Sequence, residues 1–356
     1  MKTAGIILGG AFISLPSAAA ENSMLTDFAQ KVMTECGIGD IKVINNGSLK
    51  DAISETEADA FFVLAADTAV GEVDFVSAFC RAENVRFISE DGEFIGAVIT
   101  DAMDTGAVYG IEKTEVISAK KITAKNLSEI TDARMKSVRD TLAEGNVFTE
   151  SGAVISPLAK VGKGSFIASG CRIDGSSVIG DGCTLTGATI INNSKIGNNT
   201  SVTSCVILES EVGDNVSAGP FAYIRPHSKV GNNVKVGDFV EIKNAVIGNG
   251  TKISHLTYVG DSDVGSGVNF GCGTVTVNYD GLKKHRTVIG DNAFIGCNTN
   301  LVAPVTVGEG AFIAAGSTIT DDMPALSFAI ARQRQTTKEN YVSERMPDMV
   351  KKTNKE

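Results

Sequence analysis

The sequence has no excess of positive charge. Thirty-two Lys and Arg stand against forty-two Asp and Glu, for a net charge of −10 and a pI near 5.0. A general nucleic-acid surface needs a basic face, so the balance excludes one. No apolar stretch is long enough to span a membrane. The seven Cys, at 36, 80, 171, 183, 205, 272 and 297, include no C-x-x-C. That spacing argues against a metal ribbon or a disulfide framework and fits a reducing compartment, the cytosol. Only three His occur, at 227, 255 and 285.

What the chain does have is a six-residue beat. An aliphatic residue opens each unit at Ile155, Val161, Ile167, Ile173, Ile179, Leu185 and Ile191. The beat slips, then resumes through Val230, Val236, Ile242, Ile253, Val259 and Phe270, and ends at Ile289, Ile295, Leu301, Val307, Ile313 and Ile319. Four residues after most openers sits something small, among them Ser165, Cys171, Ser177, Cys183, Thr257, Thr274 and Ser317. Such hexads predict a β-helix whose triangular coils of about eighteen residues point opener and small residue inward. Cys171 and Cys183 then read as core filler.

Composition divides the rest. Residues 1–118 read as a small α/β domain with buried parallel strands at 6–8, 41–44 and 61–64 and a helix over 24–36. Residues 4–20 form an apolar run that also resembles a secretory signal; a buried first strand is the reading taken forward. Residues 119–148 hold a linker helix, roughly 127–142, with Ile130, Met135 and Val138 as its apolar stripe. The hexad domain covers 149–322, and 323–356 is a polar tail.

The beat also works as a ruler. Eighteen residues per coil puts Arg225 beneath Lys243, and neighbouring coils lie about 4.8 Å apart. Two cations so placed are either a solvated edge or a phosphate-binding pair. A five-residue unit after Val236 puts Glu241 beneath Tyr258. His255 lies two past its opener, and Cys272 takes the same place one coil on. A neutral imidazole suits proton abstraction from an amine, and Glu241 is the carboxylate expected to hold its tautomer. The beat breaks over 276–288, TVNYDGLKKHRTV, a loop that gathers Lys283, Lys284, His285 and Arg286. It reads as a solvated loop or as a clamp for a phosphorylated ligand.

The run RPHSKVGNNVKVGDFVEIKNAVIGNGTKISHLTYVGDSDVGSGVNFGCGTVTVNYDG, followed by LVAPVTVGEGAFIAAGSTIT, resembles the acetyltransferase half of the GlmU family. That family joins a glucosamine-1-phosphate acetyltransferase to an N-acetylglucosamine-1-phosphate uridylyltransferase. The resemblance covers about 149–335. It implies a left-handed parallel β-helix, a cytoplasmic homotrimer with sites between subunits, and acetyl-CoA as co-substrate. It implies His255 as general base and Arg225, Lys243, Tyr258, Asn269 and Lys284 as sugar-phosphate contacts. Cys272, Asn278, Tyr279, Cys297, Ala315 and Arg332 fall at its acetyl-CoA positions. Cys272 and Cys297 depart from the family's commoner Ala and Ser. A backbone amide near Cys272 is the expected oxyanion donor, and Lys284 is expected to reach in from a neighbouring subunit.

The first domain resembles the family's nucleotidyltransferase domain only in outline. Its glycine-rich triphosphate loop is missing, and no Lys or Arg occurs between Lys2 and Lys31. Residues 1–118 are therefore expected to be a degenerate remnant without uridylyltransferase activity; Mg would enter only through Asp67. Two rivals remain: a hexapeptide acyltransferase for another amino-sugar or nucleotide-sugar, and a non-catalytic trimeric scaffold that binds sugar phosphates.

Overall fold

The computed structural model describes residues 3–8, 23–35, 37–44, 52–53, 55–56, 58, 60–65, 68–70, 85–88, 94–99, 114–116, 119–121, 127–347 and 349. Cys36, Cys80, Asp67 and most of the 4–20 run lie outside them.

The small domain holds a six-stranded sheet, in the order Asp40–Ile44, Thr3–Leu8, Ala60–Ala65, Phe94–Ile99, Val85–Ile88 and Thr114–Val116. Ala60–Ala65 is buried along its whole length, as an apolar run should be at the centre of a sheet covered on both faces. The first three strands are parallel, but Phe94–Ile99 runs antiparallel to Ala60–Ala65. Asp40–Ile44 was expected to be buried. It is an edge strand, and none of its residues is fully covered.

Helix α1, Ser23–Glu35, leaves this sheet and touches the repeat domain: Phe28 packs against the repeat core, and Asp27 Oδ2 accepts the Gly175 N–H at 3.3 Å. Helix α2, Leu127–Glu144, buries Met135 and Val138 against the first coil while Ile130 stays half-exposed. It therefore caps the open end of the coil as well as linking the domains.

From Phe148 the chain winds into the expected left-handed parallel β-helix. Three parallel sheets of eleven, ten and nine strands form its faces. The first face runs from Phe148–Thr149 to Phe328–Ala329, the second from Val154–Ile155 to Thr318–Ile319, and the third from Lys160–Val161 to Val305–Val307. The coil thus continues past 322, since Phe312–Ile313 pairs with Phe328–Ala329. Openers such as Ile167, Ile173, Leu185, Ile242, Ile253 and Ile295 are wholly buried, as are the small residues Ser165, Cys183, Thr274 and Ser317. Each buried aliphatic side chain contributes about 1.5–3 kcal/mol.

Polar ladders satisfy the corners. Asn198, Asp214, Asn232 and Asn249 each accept, through a side-chain oxygen, a backbone N–H from the coil before, at 2.6–2.8 Å. Asn199, Asn215 and Asn233 take positive φ of 52°, 54° and 57° there, a conformation Asn tolerates better than most residues. The break in the beat is narrower than the sequence indicated. Val275–Val277 and Thr287–Ile289 are both strands, so residues 278–286 alone leave the coil.

Candidate active site

The corner between the first and second faces carries one column of residues. Val236 pairs with Ile253, Ile253 with Phe270, Phe270 with Ile295, and Ile295 with Ile313. Two positions past these openers stand Asp238, His255, Cys272, Cys297 and Ala315. Asp238 and His255 are register partners, and His255 Nδ1 lies 2.5 Å from Asp238 Oδ1. Both side chains reach solvent, 55% exposed for His255 and 36% for Asp238. The hydrogen bond from His255 is the main reason the Asp238 carboxyl sits below its ordinary range.

Glu241 does not hold His255. It pairs in register with Tyr258, as the ruler placed it, but its Oε1 accepts from Arg225 Nη1 at 2.8 Å. The reason is reach: Glu241 begins the second face, beyond the corner where His255 stands. Ile224 pairs with Ile242, so Arg225 and Lys243 are stacked neighbours. Each has its own carboxylate, which offsets the repulsion between the two cations. Arg225 has Glu241, and Lys243 Nζ lies 3.7 Å from Asp261 Oδ2.

Asp261 organises the far edge of the second face. Its side chain is 6% exposed and accepts from Asn244 Nδ2 at 2.6 Å and Asn278 Nδ2 at 2.5 Å. Burial pushes its carboxyl up, but the two amide hydrogen bonds and the charges of Lys243 and Lys284 outweigh that and hold it low. Asn278 also reaches Tyr258 Oη at 3.3 Å. Tyr258 lies over Gly260, where a Cβ would collide with its hydroxyl.

The loop 278–286 brings a second cation to this edge. Lys284 stands beside Lys243 of its own chain, and that neighbour pulls its ammonium below the ordinary lysine range. Within one chain Lys284 is thus paired with Lys243, whichever subunit's site the two serve. Arg286 anchors the loop with a fork onto Asp263 (Nε–Oδ2 2.8 Å, Nη2–Oδ1 2.5 Å) and a contact to the Asn244 carbonyl at 3.2 Å. Asp280 closes it by accepting from the Leu282 and Lys283 N–H groups and meeting His285 Nε2 at 2.7 Å. Tyr279 and Lys284 form the bridge across the loop, and Tyr279 Oη donates to the Gly281 carbonyl.

The remaining predicted residues lie along the corner column or beside it. Asn269 faces outward on the first face between Lys252 and Phe294. Cys272 is half-buried and Cys297 exposed, and their carbonyls accept the Asn298 and Gly316 N–H groups at 2.8 and 2.7 Å. The Arg332 side chain runs beside Gly316, next to Ala315. One chain therefore offers an imidazole–carboxylate pair at one edge of a face and two lysines at the other. Tyr258 lies between them. Asp238, Asp261, Asn244 and the Arg286–Asp263 fork were not picked out from the sequence. The ruler alone would have found Asp238. Among the described residues no cluster of His, Cys, Asp and Glu could hold a metal, and no helix is long and apolar enough to cross a membrane.

A model of the bacterial transferase hexapeptide repeat matches residues 209–244 and 286–321. The bifunctional protein GlmU of Clostridium perfringens (strain SM101 / Type A) is 47% identical over 280 residues, 78% of this chain and 58% of that protein. That of Caldicellulosiruptor saccharolyticus is 57% identical over 191 residues, 54% of this chain and 41% of that protein. The chain covers 58% and 41% of these relatives' own lengths, about half. Among solved structures, a UDP-N-acetylglucosamine acyltransferase from Campylobacter jejuni is 16% identical, covering 58% of this chain and 81% of that one, with a TM-score of 0.33. A likeness that slight carries no argument about the site.

Proposed function

We propose that this chain transfers an acetyl group from acetyl-CoA to the amine of glucosamine 1-phosphate. The observation that carries the reading is the second face itself, with an Asp-bound imidazole at one edge and the Lys243–Lys284 pair at the other. Two ammonium groups held together attract a dianion, which suits a phosphate on the acceptor. Nδ1 of His255 is occupied by Asp238, so Nε2 is the nitrogen left to take the amine proton. The amine attacks the thioester carbonyl; a C–N bond forms, the C–S bond breaks, and CoA leaves as the thiol. The N–H of Cys272 takes part in no hydrogen bond among the described residues and stands one coil from His255, where an oxyanion donor is needed. The similarity to the bifunctional GlmU proteins supports this choice of acceptor and donor.

The corner column Cys272, Cys297 and Ala315, with Arg332 beside it, is the run we assign to acetyl-CoA. Asn278 and Tyr279 are held by Asp261 and by the loop itself, so they serve the acceptor's edge at least as directly. A homotrimer working in the cytosol completes the proposal. Three exposed apolar residues at the corner, Phe221, Phe239 and Leu256, favour association beside His255. Residues 1–118 are read as lacking uridylyltransferase activity, on the absence of cations between Lys2 and Lys31.

The test is an uncoupled assay of both half-reactions on the purified chain, over a panel of amino-sugars. CoA should appear with glucosamine 1-phosphate, and no UDP-sugar should form from UTP. His255→Ala should lower turnover by roughly 10²–10⁴-fold with the assembly unchanged by light scattering. Near-normal turnover in that variant would overturn the mechanism. A preference for another amino-sugar would move the assignment to that acceptor.

A further inference from the structure

An exposed pair of this kind contributes little to stability, roughly 0–1 kcal/mol. Yet Asp238 and His255 meet as register partners on a hydrogen-bonded corner. Each is followed by a corner residue with positive φ, Phe239 at 55° and Leu256 at 46°. The Leu256 N–H donates to the Asp238 carbonyl at 2.9 Å, and the Thr257 hydroxyl donates to the His255 carbonyl at 2.6 Å. Bulky residues at positive φ are strained, at about 1–2 kcal/mol each. The same left-handed turn recurs along this corner at Phe221, Gly273, Asn298 and Gly316, so a repeated backbone geometry presents the carboxylate and the imidazole at matching places in neighbouring coils. Among the described residues the other such pair, His285 with Asp280, lies five residues apart inside one loop and closes that loop.

We infer that Asp238 is a positioning residue for His255: its carboxylate accepts the Nδ1 proton, holds the ring in the tautomer with Nε2 unprotonated, and balances the imidazolium that forms when Nε2 takes the amine proton. The inference deepens the proposed acetyl transfer and rests on it. A carboxylate can only accept at Nδ1, so it selects one tautomer. An amide in its place can also donate, and an amide that donates to Nδ1 leaves Nε2 protonated and useless as a base. Glu241 cannot substitute, because Arg225 holds it. Ionisation agrees with the role, since the carboxyl is held low by the same hydrogen bond.

Asp238→Asn, nearly isosteric, is the informative variant, with Asp238→Ala beside it and steady-state kinetics and imidazole 15N NMR as readouts. Both variants should lose at least about 10-fold in kcat and up to about 10⁴-fold, the loss when the carboxylate behind a triad imidazole becomes an amide. KM for the acceptor should stay within about twofold, since Lys243 and Lys284 are untouched. The wild-type His255 signals should report a proton on Nδ1, and those of Asp238→Asn a larger share on Nε2. Unchanged kcat in Asp238→Asn with an unchanged tautomer would sink the inference. So would a loss confined to KM. If the wild-type chain transfers no acetyl group, the function reading fails instead, while the tautomer measurement still decides whether Asp238 sets the ring.

Discussion

Asp261 shows how one side chain can serve packing and binding together. It is a nearly buried carboxylate with a left-handed backbone (φ 47°), holding two amides and facing two lysines. Asp261→Asn keeps the volume but sets an amide against the Asn244 and Asn278 amides. One buried donor then lacks an acceptor, which should destabilise the chain by about 1–3 kcal/mol in denaturant unfolding. Acceptor binding should weaken too, because Lys243 loses its tether. Stability unchanged within error would show that water replaces the carboxylate. Because the folded carboxyl is held below its ordinary value, its contribution is present above the unfolded pKa near 3.9 and is lost as pH falls through the folded one.

At this scale the hexad count reaches far. It registers Glu241 with Tyr258 and stacks His255 under Cys272, because parallel coils leave no freedom in pairing. The same count puts Asp238, two past Val236, beside His255, two past Ile253. It does not reveal where corner side chains point. Alternation inward and outward ends at the left-handed residues, so the grouping of Asn244, Asp261 and Asn278 is illegible in the spacing.

Elements differ in how much of themselves the sequence displays. The coil is legible because every unit repeats the same burial. The loop 278–286 is not, since nothing in it repeats, and its shape comes from Arg286 forked onto Asp263 and Asp280 turned onto its own loop. Arg286→Ala should therefore act at a distance. Lys284 loses its fixed place beside Lys243, KM for the phosphorylated acceptor rises several-fold, and kcat changes little. A fall in kcat alone would contradict this role. The Asp280 carboxyl is pulled down to about 2, first by the Lys283 N–H and then by His285. The loop's closure should accordingly persist down to about pH 4 and loosen only as pH falls from there towards about 2. Hydrogen exchange at Leu282 and Lys283 reads it directly.

For the whole molecule, what matters is how the small domain sits on the coil. Helix α1 brings Asp27, 7% exposed, against Gly175, with Phe28 between Arg134 and the repeat core. Burial pushes the Asp27 carboxyl up, against the opposing pull of Ser156 and the Gly175 N–H, and the nearby Asp174 adds to the rise. A raised folded pKa means the docked helix prefers the protonated acid. Docking is then strongest below the unfolded pKa and weakens as pH rises through the folded one. Asp27→Asn mimics the protonated form and should remove that dependence. Limited proteolysis between the helix and the coil, run from pH 4 to pH 8, should show the wild-type chain becoming more cleavable as pH rises. The Asn variant should stay equally protected throughout. Equal protection of the wild type at both ends would mean that the contact with Phe28 alone holds the domain, and that the buried carboxylate has no part in it.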